Sequence, residues 1–346
     1  MKLLIAVVII LLSLSGCSYK VADDVVRVSA DAETEAVLND GDAADDPAIW
    51  VHPENPYKSL IIGTNKKNGG LEVYDLSGKR IQSLVDGKFN NVDLRYGMSL
   101  SGKATDIIIA SNRTDDTLAI YAVDSMSLKL YPIAARKIST LNKSYGLCMY
   151  HNRDSDIYYV FVNSKDGTFK QFELFDNNGK VDAREVRSFS VATQPEGCVA
   201  DDAMQTLYVG EENVGIWRYL AQPDAPNLAV LIDSTKEHLV SDVEGLALYE
   251  MDDSRGYLLA SSQGNNTYTV YDRQSGAYLG SFEIIDGVFD GTSETDGIDV
   301  ISSPLGALYP YGMLVVQDGE DIPTQKQNFK MIRMEKVFDK LHLHYK

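Results

Sequence analysis

Between residues 25 and 334, apolar positions alternate with polar ones in short runs rich in β-branched and aromatic residues, separated by loops that contain Asn, Asp or Gly. A period of two belongs to half-buried strands rather than helices. The runs also come in sets. Residues 47–52, 59–64, 70–74 and 80–84 form the first, turned by Lys67-Asn68-Gly69-Gly70 and by Ser77-Gly78. The pattern returns at 92–96, 106–110 and 118–121, then at 145–150, 157–162 and 169–174, and later sets begin at Glu196, Glu244 and Gly297. Six units of roughly 45 to 52 residues predict an all-β protein, a six-bladed β-propeller of four-stranded antiparallel blades around a central channel. The sixth unit is a strand short while residues 25–29 belong to no unit, so pairing these two ends is expected to close the ring and cover an open edge. Residues 334–341 read as a short helix without a site of its own.

The first residues depart from this pattern. Lys2 precedes an apolar run from Leu3 to Leu14, and Ser15-Gly16-Cys17 follows. This is the layout of an export signal, too short to span a bilayer. Small residues before the cysteine resemble the lipobox of bacterial lipoproteins. The expected organisation is therefore a signal peptide over 1–16, a tether over 17–23 lipidated at Cys17, and a single propeller domain over 24–346. Ser18 favours attachment to the outer membrane at the cell envelope; the alternative is a secreted protein. Cys148 and Cys198 either pair once or sit as two apolar core residues, and their strand-like surroundings favour the second reading. A net charge of -18 argues against nucleic acid as a partner and against simple attraction to anionic lipid. The catalytic domain is expected to be a monomer.

Candidate chemistry lies where second strands end in polar residues instead of continuing the alternation: 64–67, 111–113, 163–165, 211–213, 261–265 and 317–321. Any one of these is an ordinary solvated turn. As a set they change in order around the ring, basic in the first three units and acidic in the fourth, and equivalent positions of a propeller face one axis. Lys66, Lys67, Arg113 and Lys165 form an arc suited to a multiply charged oxyanion, with Arg giving a fixed fork and Lys a point charge. Tyr145, at the start of an inner strand, either donates to a phosphate oxygen or packs inward.

Facing that arc are Glu196, Glu211, Glu212, Asp242, Glu244 and Asp296, with Asp46 nearby. Carboxylates gathered in this way repel one another and exclude phosphate unless cations intervene, and hard oxygen donors suit calcium. Segments 90–93 and 290–299 are also dense in oxygen donors, without the spacing of an EF-hand. Histidine does not organise a site: there is no His-Glu-x-x-His pair, no Arg-His-Gly signature and no Cys-x5-Arg loop. That leaves direct attack by metal-bound water rather than a covalent phosphoenzyme.

Together these residues resemble the bacterial β-propeller phytases, also called alkaline phytases. The likeness covers about residues 24 to 335 and is carried by long motifs. Among them are Asp45-Asp46-Pro47, Thr64-Asn65-Lys66-Lys67, Asn90-Asn91-Val92-Asp93, Ser111-Asn112-Arg113, Glu211-Glu212, Asp242-Val243-Glu244-Gly245 and the run from Asp290 to Asp299. The resemblance implies a 3-phytase-type, calcium-dependent phosphomonoesterase that removes phosphates from myo-inositol hexakisphosphate (phytate) or its calcium salt. It implies catalytic calcium on Asp46, Glu196, Glu212, Asp242, Glu244 and Asp296, and phosphate contacts from Lys66, Arg113, Tyr145 and Lys165. Backbone carbonyls of Pro47 and Val92 join the metal set, and Asp290 and the segment Asn90-Asn91-Val92 resemble ligands of additional structural calcium. Two departures stand out: Gln194-Pro195 precedes Glu196 where the family has Thr, and Glu294 replaces an Asp. A calcium-dependent propeller lactonase or phosphotriesterase, and a noncatalytic envelope scaffold, are the alternative readings. The first leaves the three basic rim positions with little to bind, and the second has no need of opposed charged arcs.

Overall fold

A computed structural model describes residues 25–322 and 324–345; the expected signal peptide, Cys17 and the tether lie outside the described residues. Six sheets surround an axis. Blade one is Ala44–Trp50, Leu60–Asn65, Gly70–Asp75 and Arg80–Leu84; blade two is Phe89–Leu100, Lys103–Asn112, Thr117–Asp124 and Lys129–Pro132, with Ile138–Ser139 also pairing on its third strand. Blade three is Ser144–Asn152, Ile157–Ser164, Thr168–Asn177 and Lys180–Ser190. Blade four is Pro195–Asp201, Thr206–Glu211, Gly215–Leu220 and Val230–Ser234. Blade five is Val243–Glu250, Gly256–Ser262, Thr267–Asp272 and Tyr278–Ile284, and blade six begins with Ile298–Ile301, Met313–Asp321 and Lys326–Arg333. The first strand of every blade touches the first strands of both neighbours, so these six line the channel.

Burial follows distance from the axis. Leu60–Asn65 is buried on both faces, because blades stack against blades, whereas the outer strand Arg80–Leu84 holds half-buried and exposed positions. The hydrophobic clusters map one to each seam. Trp50, Ile62 and Phe89 fill that between blades one and two, and Tyr150, Phe161, Phe169 and Tyr219 that between three and four. Blades five and six share a cluster that also takes Met334, Val337 and Phe338 from the helix Met334–Leu341. Among the described residues no helix is long and apolar enough to cross a membrane.

The ring closes one step later along the chain than residues 25–29 suggested. Val26–Val28 adds a parallel fifth strand to blade five, and it is Ala32–Glu33 that pairs antiparallel with Lys326–Arg333 as the fourth strand of blade six. Both uses cover an edge. Lys330, fully buried in that closing blade, places its Nζ 2.5 Å from Glu33, 2.5 Å from Asp290, 3.3 Å from Asp318 and 3.4 Å from Asp321.

The cysteines also require a correction. Cys148 and Cys198 are bonded, with Cα atoms 5.6 Å apart, although both lie within an apolar cluster. Each belongs to an innermost strand, and adjacent innermost strands bring them together in a way that local sequence could not show. Closing a loop across a sequence separation of 50 contributes about 2 to 4 kcal/mol.

Candidate active site at the channel mouth

At its start, the inner strand of each of the first five blades slips register by a two-residue bulge. The interruptions fall between Ala44 and Pro47, Phe89 and Val92, Ser144 and Leu147, Pro195 and Cys198, and Val243 and Leu246. A bulge re-aims a side chain that regular alternation would send into the blade. The bulge pairs are Asp45-Asp46, Asn90-Asn91, Tyr145-Gly146, Glu196-Gly197 and Glu244-Gly245, and Asp296-Gly297 holds the same place before Ile298 in blade six. The first members form an inner ring: Asp45, Asn90, Tyr145, Glu196, Glu244 and Asp296.

The glycines are required by close approach. A Cβ on Gly146 would lie 1.9 Å from the Glu196 carbonyl oxygen, and one on Gly197 would lie 2.0 Å from that of Glu244. Hydrogen bonds from the ends of second strands hold the bulges. Thr64 Oγ1 donates to the Asn90 carbonyl, Ser111 Oγ to that of Tyr145, Asn163 Nδ2 to that of Glu196 and Ser261 Oγ to that of Thr295. The residue just past the end of each second strand in blades one to five forms an outer ring, Lys66, Arg113, Lys165, Glu212 and Gln263. Four of these N–H groups repeat one bond, to the carbonyls of Ala43, Lys88, Gln194 and Asp242.

Glu196, Glu212 and Glu244 are buried, and each brings a carboxylate oxygen within 4.8 Å of the others. Among the described residues no ammonium or guanidinium pairs with any of them, and Glu244 Oε2 is buried without a partner. The electrostatic consequence is direct. Burial, then the Glu196 charge, holds Glu244 well above the ordinary range. Burial pushes Glu212 up to about 7, helped by Glu196 and Asp242 and opposed by Gln194 and Lys165. Asp296 is pushed up to about 6 by burial, with Lys66 pulling it down and Glu196 pushing it up.

Lys66 sits among acids, 2.6 Å from Asp296, 2.7 Å from Asp42 and 3.1 Å from Asp45. Burial lowers its pKa, but Asp45 and Asp296 outweigh that and raise it. Lys165 Nζ stands 3.8 Å from the centre of the Tyr145 ring and Arg113 Cζ 5.3 Å from it, so two cations pack against one aromatic ring. Burial, then Glu196, Asp45 and Glu244, keeps the Tyr145 phenol protonated. Lys67 is exposed one residue beyond Lys66, and Asp242 is half-buried beside Glu212. Asp46, Pro47 and Val92 line a narrow axial cavity of about 40 Å³ below the ring, where Asp46 Oδ2 accepts the Val92 N–H at 3.0 Å.

Two of the sequence candidates lie apart from the three glutamates. Glu211 Oε1 accepts from the Thr193 N–H and Oγ1, and its Oε2 accepts from Trp217 Nε1. Asp290 lies with Lys330 at the ring closure. Conversely, Asp45, Asn90, Gln194 and Gln263, legible in the sequence only as parts of motifs, take named places at the mouth. Asp45 is not told from Asp46 there, because adjacent acids look alike until the bulge shows which of them faces the mouth.

The model of the family described as Phytase matches residues 1–345. The 3-phytase of Bacillus subtilis (strain 168) is 46% identical over 323 residues, spanning 90% of this chain and 84% of that protein. The crystal structure of a protein of unknown function from Bacteroides thetaiotaomicron shares 11% identity with a TM-score of 0.54, covering 89% of this chain and 74% of its own, a likeness of fold alone. Fold and site define a metal-dependent propeller hydrolase. The chain belongs to the phytase family, and the lactonase and scaffold readings lose their support.

Proposed function

We propose that the channel mouth binds calcium through Glu196, Glu212 and Glu244, with Asp242 and Asp296 beside them, and presents phytate to it from the arc of Lys66, Lys67, Arg113, Tyr145 and Lys165. The protein is a calcium-dependent phosphomonoesterase of the 3-phytase type that hydrolyses phytate. The observation that carries the site assignment is the convergence of three buried carboxylates, with no cationic side chain paired to them among the described residues and one buried Glu244 oxygen without a partner. That donor set fits a hard divalent ion, which satisfies the orphan and cancels the repulsion.

Calcium bound there supplies Lewis-acid polarisation of the phosphoryl oxygen and acidifies bound water. The chain's own groups do the rest. Arg113 and Lys165 hold phosphate oxygens on either side of Tyr145, whose hydroxyl stays protonated and donates. Lys66 bridges from the carboxylates to the same arc. Three cations on adjacent blades match a substrate with neighbouring phosphates. Asp46, Pro47 and Val92 offer oxygens to an ion on the axis, while Glu211 fixes the loop before blade four through Thr193.

Release of inorganic phosphate from calcium-phytate tests this reading. Activity is expected to vanish with chelator and return with calcium, and Arg113→Ala or Lys165→Ala is expected to lower kcat/KM about 100-fold without moving the melting temperature. Full turnover in excess chelator would overturn it. We also propose display at the cell envelope through a lipid on Cys17, supported by the lipobox-like sequence. The protein is then expected to partition into detergent and Cys17→Ser to stay in the aqueous phase; equal partitioning would refute the anchor.

A further inference from the structure

Three primary amides hold the carboxylates of the mouth. Asn90, fully buried in the inner ring, donates from Nδ2 to Glu196 Oε1 at 2.7 Å and to Asp45 Oδ1 at 3.3 Å, and its Oδ1 accepts Arg113 Nη1 at 2.7 Å. Gln194 donates to Glu212 Oε1 at 2.5 Å, and Gln263 donates to Asp296 Oδ1 at 2.5 Å. The amide orientations are forced, because a guanidinium only donates and a carboxylate only accepts. We propose that Asn90, Gln194 and Gln263 are positioning residues that preset the carboxylates for calcium, and that Asn90 also fastens Arg113 to the same frame, coupling phosphate binding to metal binding. This rests on the calcium reading above.

The choice of amide has a chemical reason. Beside Glu196 and Glu212 an ammonium in the same place would neutralise the acid and compete with the ion, while water would leave the rotamer free; Asp296 differs in that its other oxygen already pairs with Lys66. An amide is uncharged at every pH, occupies a single oxygen of Glu212, and leaves the other to a ligand. For Glu196 the same donor also reaches Asp45, so one side chain sets the spacing of two acids from different blades. Partners of this kind around metal ligands typically govern affinity by 10- to 100-fold.

Calorimetric titration of calcium into the substrate-free protein tests the proposal. Asn90→Ala, Gln194→Ala and Gln263→Ala are each expected to weaken calcium binding about 10- to 100-fold. With calcium saturating, Asn90→Ala is expected to weaken inorganic phosphate binding as well, and Gln194→Ala to leave it within about threefold, since of the three amides Asn90 is the one bonded to Arg113. Gln82, an amide that bridges to the Leu130 backbone far from the mouth, supplies the control: Gln82→Ala should lower the melting temperature and not the calcium affinity. Gln194 and Gln263 are only half-buried, so their variants decide the matter even where Asn90→Ala folds poorly. Calcium affinities equal to that of the unsubstituted protein would overturn the proposal. Absence of calcium uptake by the unsubstituted protein would overturn the underlying reading too.

Discussion

Replacing Glu244 by glutamine is expected to lower phytate turnover by about 100-fold or more while raising the melting temperature of the calcium-free protein by several degrees, on the order of 2 to 4 °C per kcal/mol. Both effects have one cause. Glu244 is buried against Glu196 and has an oxygen without a partner, so its charge is costly until an ion arrives. Because its pKa in the folded chain lies above the ordinary 4.5, its favourable contribution is complete below about pH 4.5 and is lost as pH rises. The glutamine does not titrate there. In chelator, then, the two melting curves should coincide near pH 4.5 and separate as pH increases, with the variant higher. Saturating calcium should close or reverse the gap at pH 7 and above. Scanning calorimetry across that range checks the sign, and a variant that melts below the unsubstituted protein in chelator at pH 7 would contradict the account.

Arg273→Ala is expected to cost about 3 to 5 kcal/mol, at any calcium concentration. Arg273 and Asp201 are both fully buried and meet through two bonds, Nε to Oδ2 at 2.5 Å and Nη2 to Oδ1 at 2.6 Å. Nη1 donates to the Asp252 carbonyl at 2.6 Å. Asp201 ends the inner strand of blade four, and Arg273 follows the third strand of blade five, so the fork ties two blades together. Truncation leaves the buried Asp201 carboxylate with only the Met204 N–H as donor among the described residues and takes the Arg273 donor from the Asp252 carbonyl, which is where most of the loss arises. Lysine cannot reproduce a planar fork, and Arg273→Lys should recover little. Asp201→Leu with Arg273→Met removes both charges and should recover more. Denaturant midpoints at fixed calcium measure all three. A loss below about 1 kcal/mol for Arg273→Ala would show the pair to be solvated in solution.

Much of this molecule is legible in its sequence because propeller blades repeat. Alternation at 47–52, 59–64 and their copies located the inner and second strands of each blade, and the polar residues ending second strands marked the rim before any coordinates. Local periodicity carries no information about partners distant in the chain. It therefore could not tell which of Val26–Val28 and Ala32–Glu33 closes the ring, since both are short and apolar enough to cover an edge. It could not pair Cys148 with Cys198, whose contact depends on the stacking of two inner strands. It also treated Glu211 and Glu212 alike, although strand alternation sends the first toward Trp217 and the second toward the mouth. Asn90, Gln194 and Gln263 stand out in sequence only as parts of polar motifs, with no role toward Glu196, Glu212 or Asp296, because neutral amides give no charge pattern to notice.

The slipped register at the head of the first five inner strands opens the mouth to redesign. Its backbone is fixed by neighbouring strands and by glycines that admit no side chain, yet the residue just before each glycine is free of that constraint. Four of the six mouth positions, Tyr145, Glu196, Glu244 and Asp296, are thus sockets backed by such a glycine on one rigid wheel, and its affinity for different ions and leaving groups can be rewritten one spoke at a time without rebuilding a single loop.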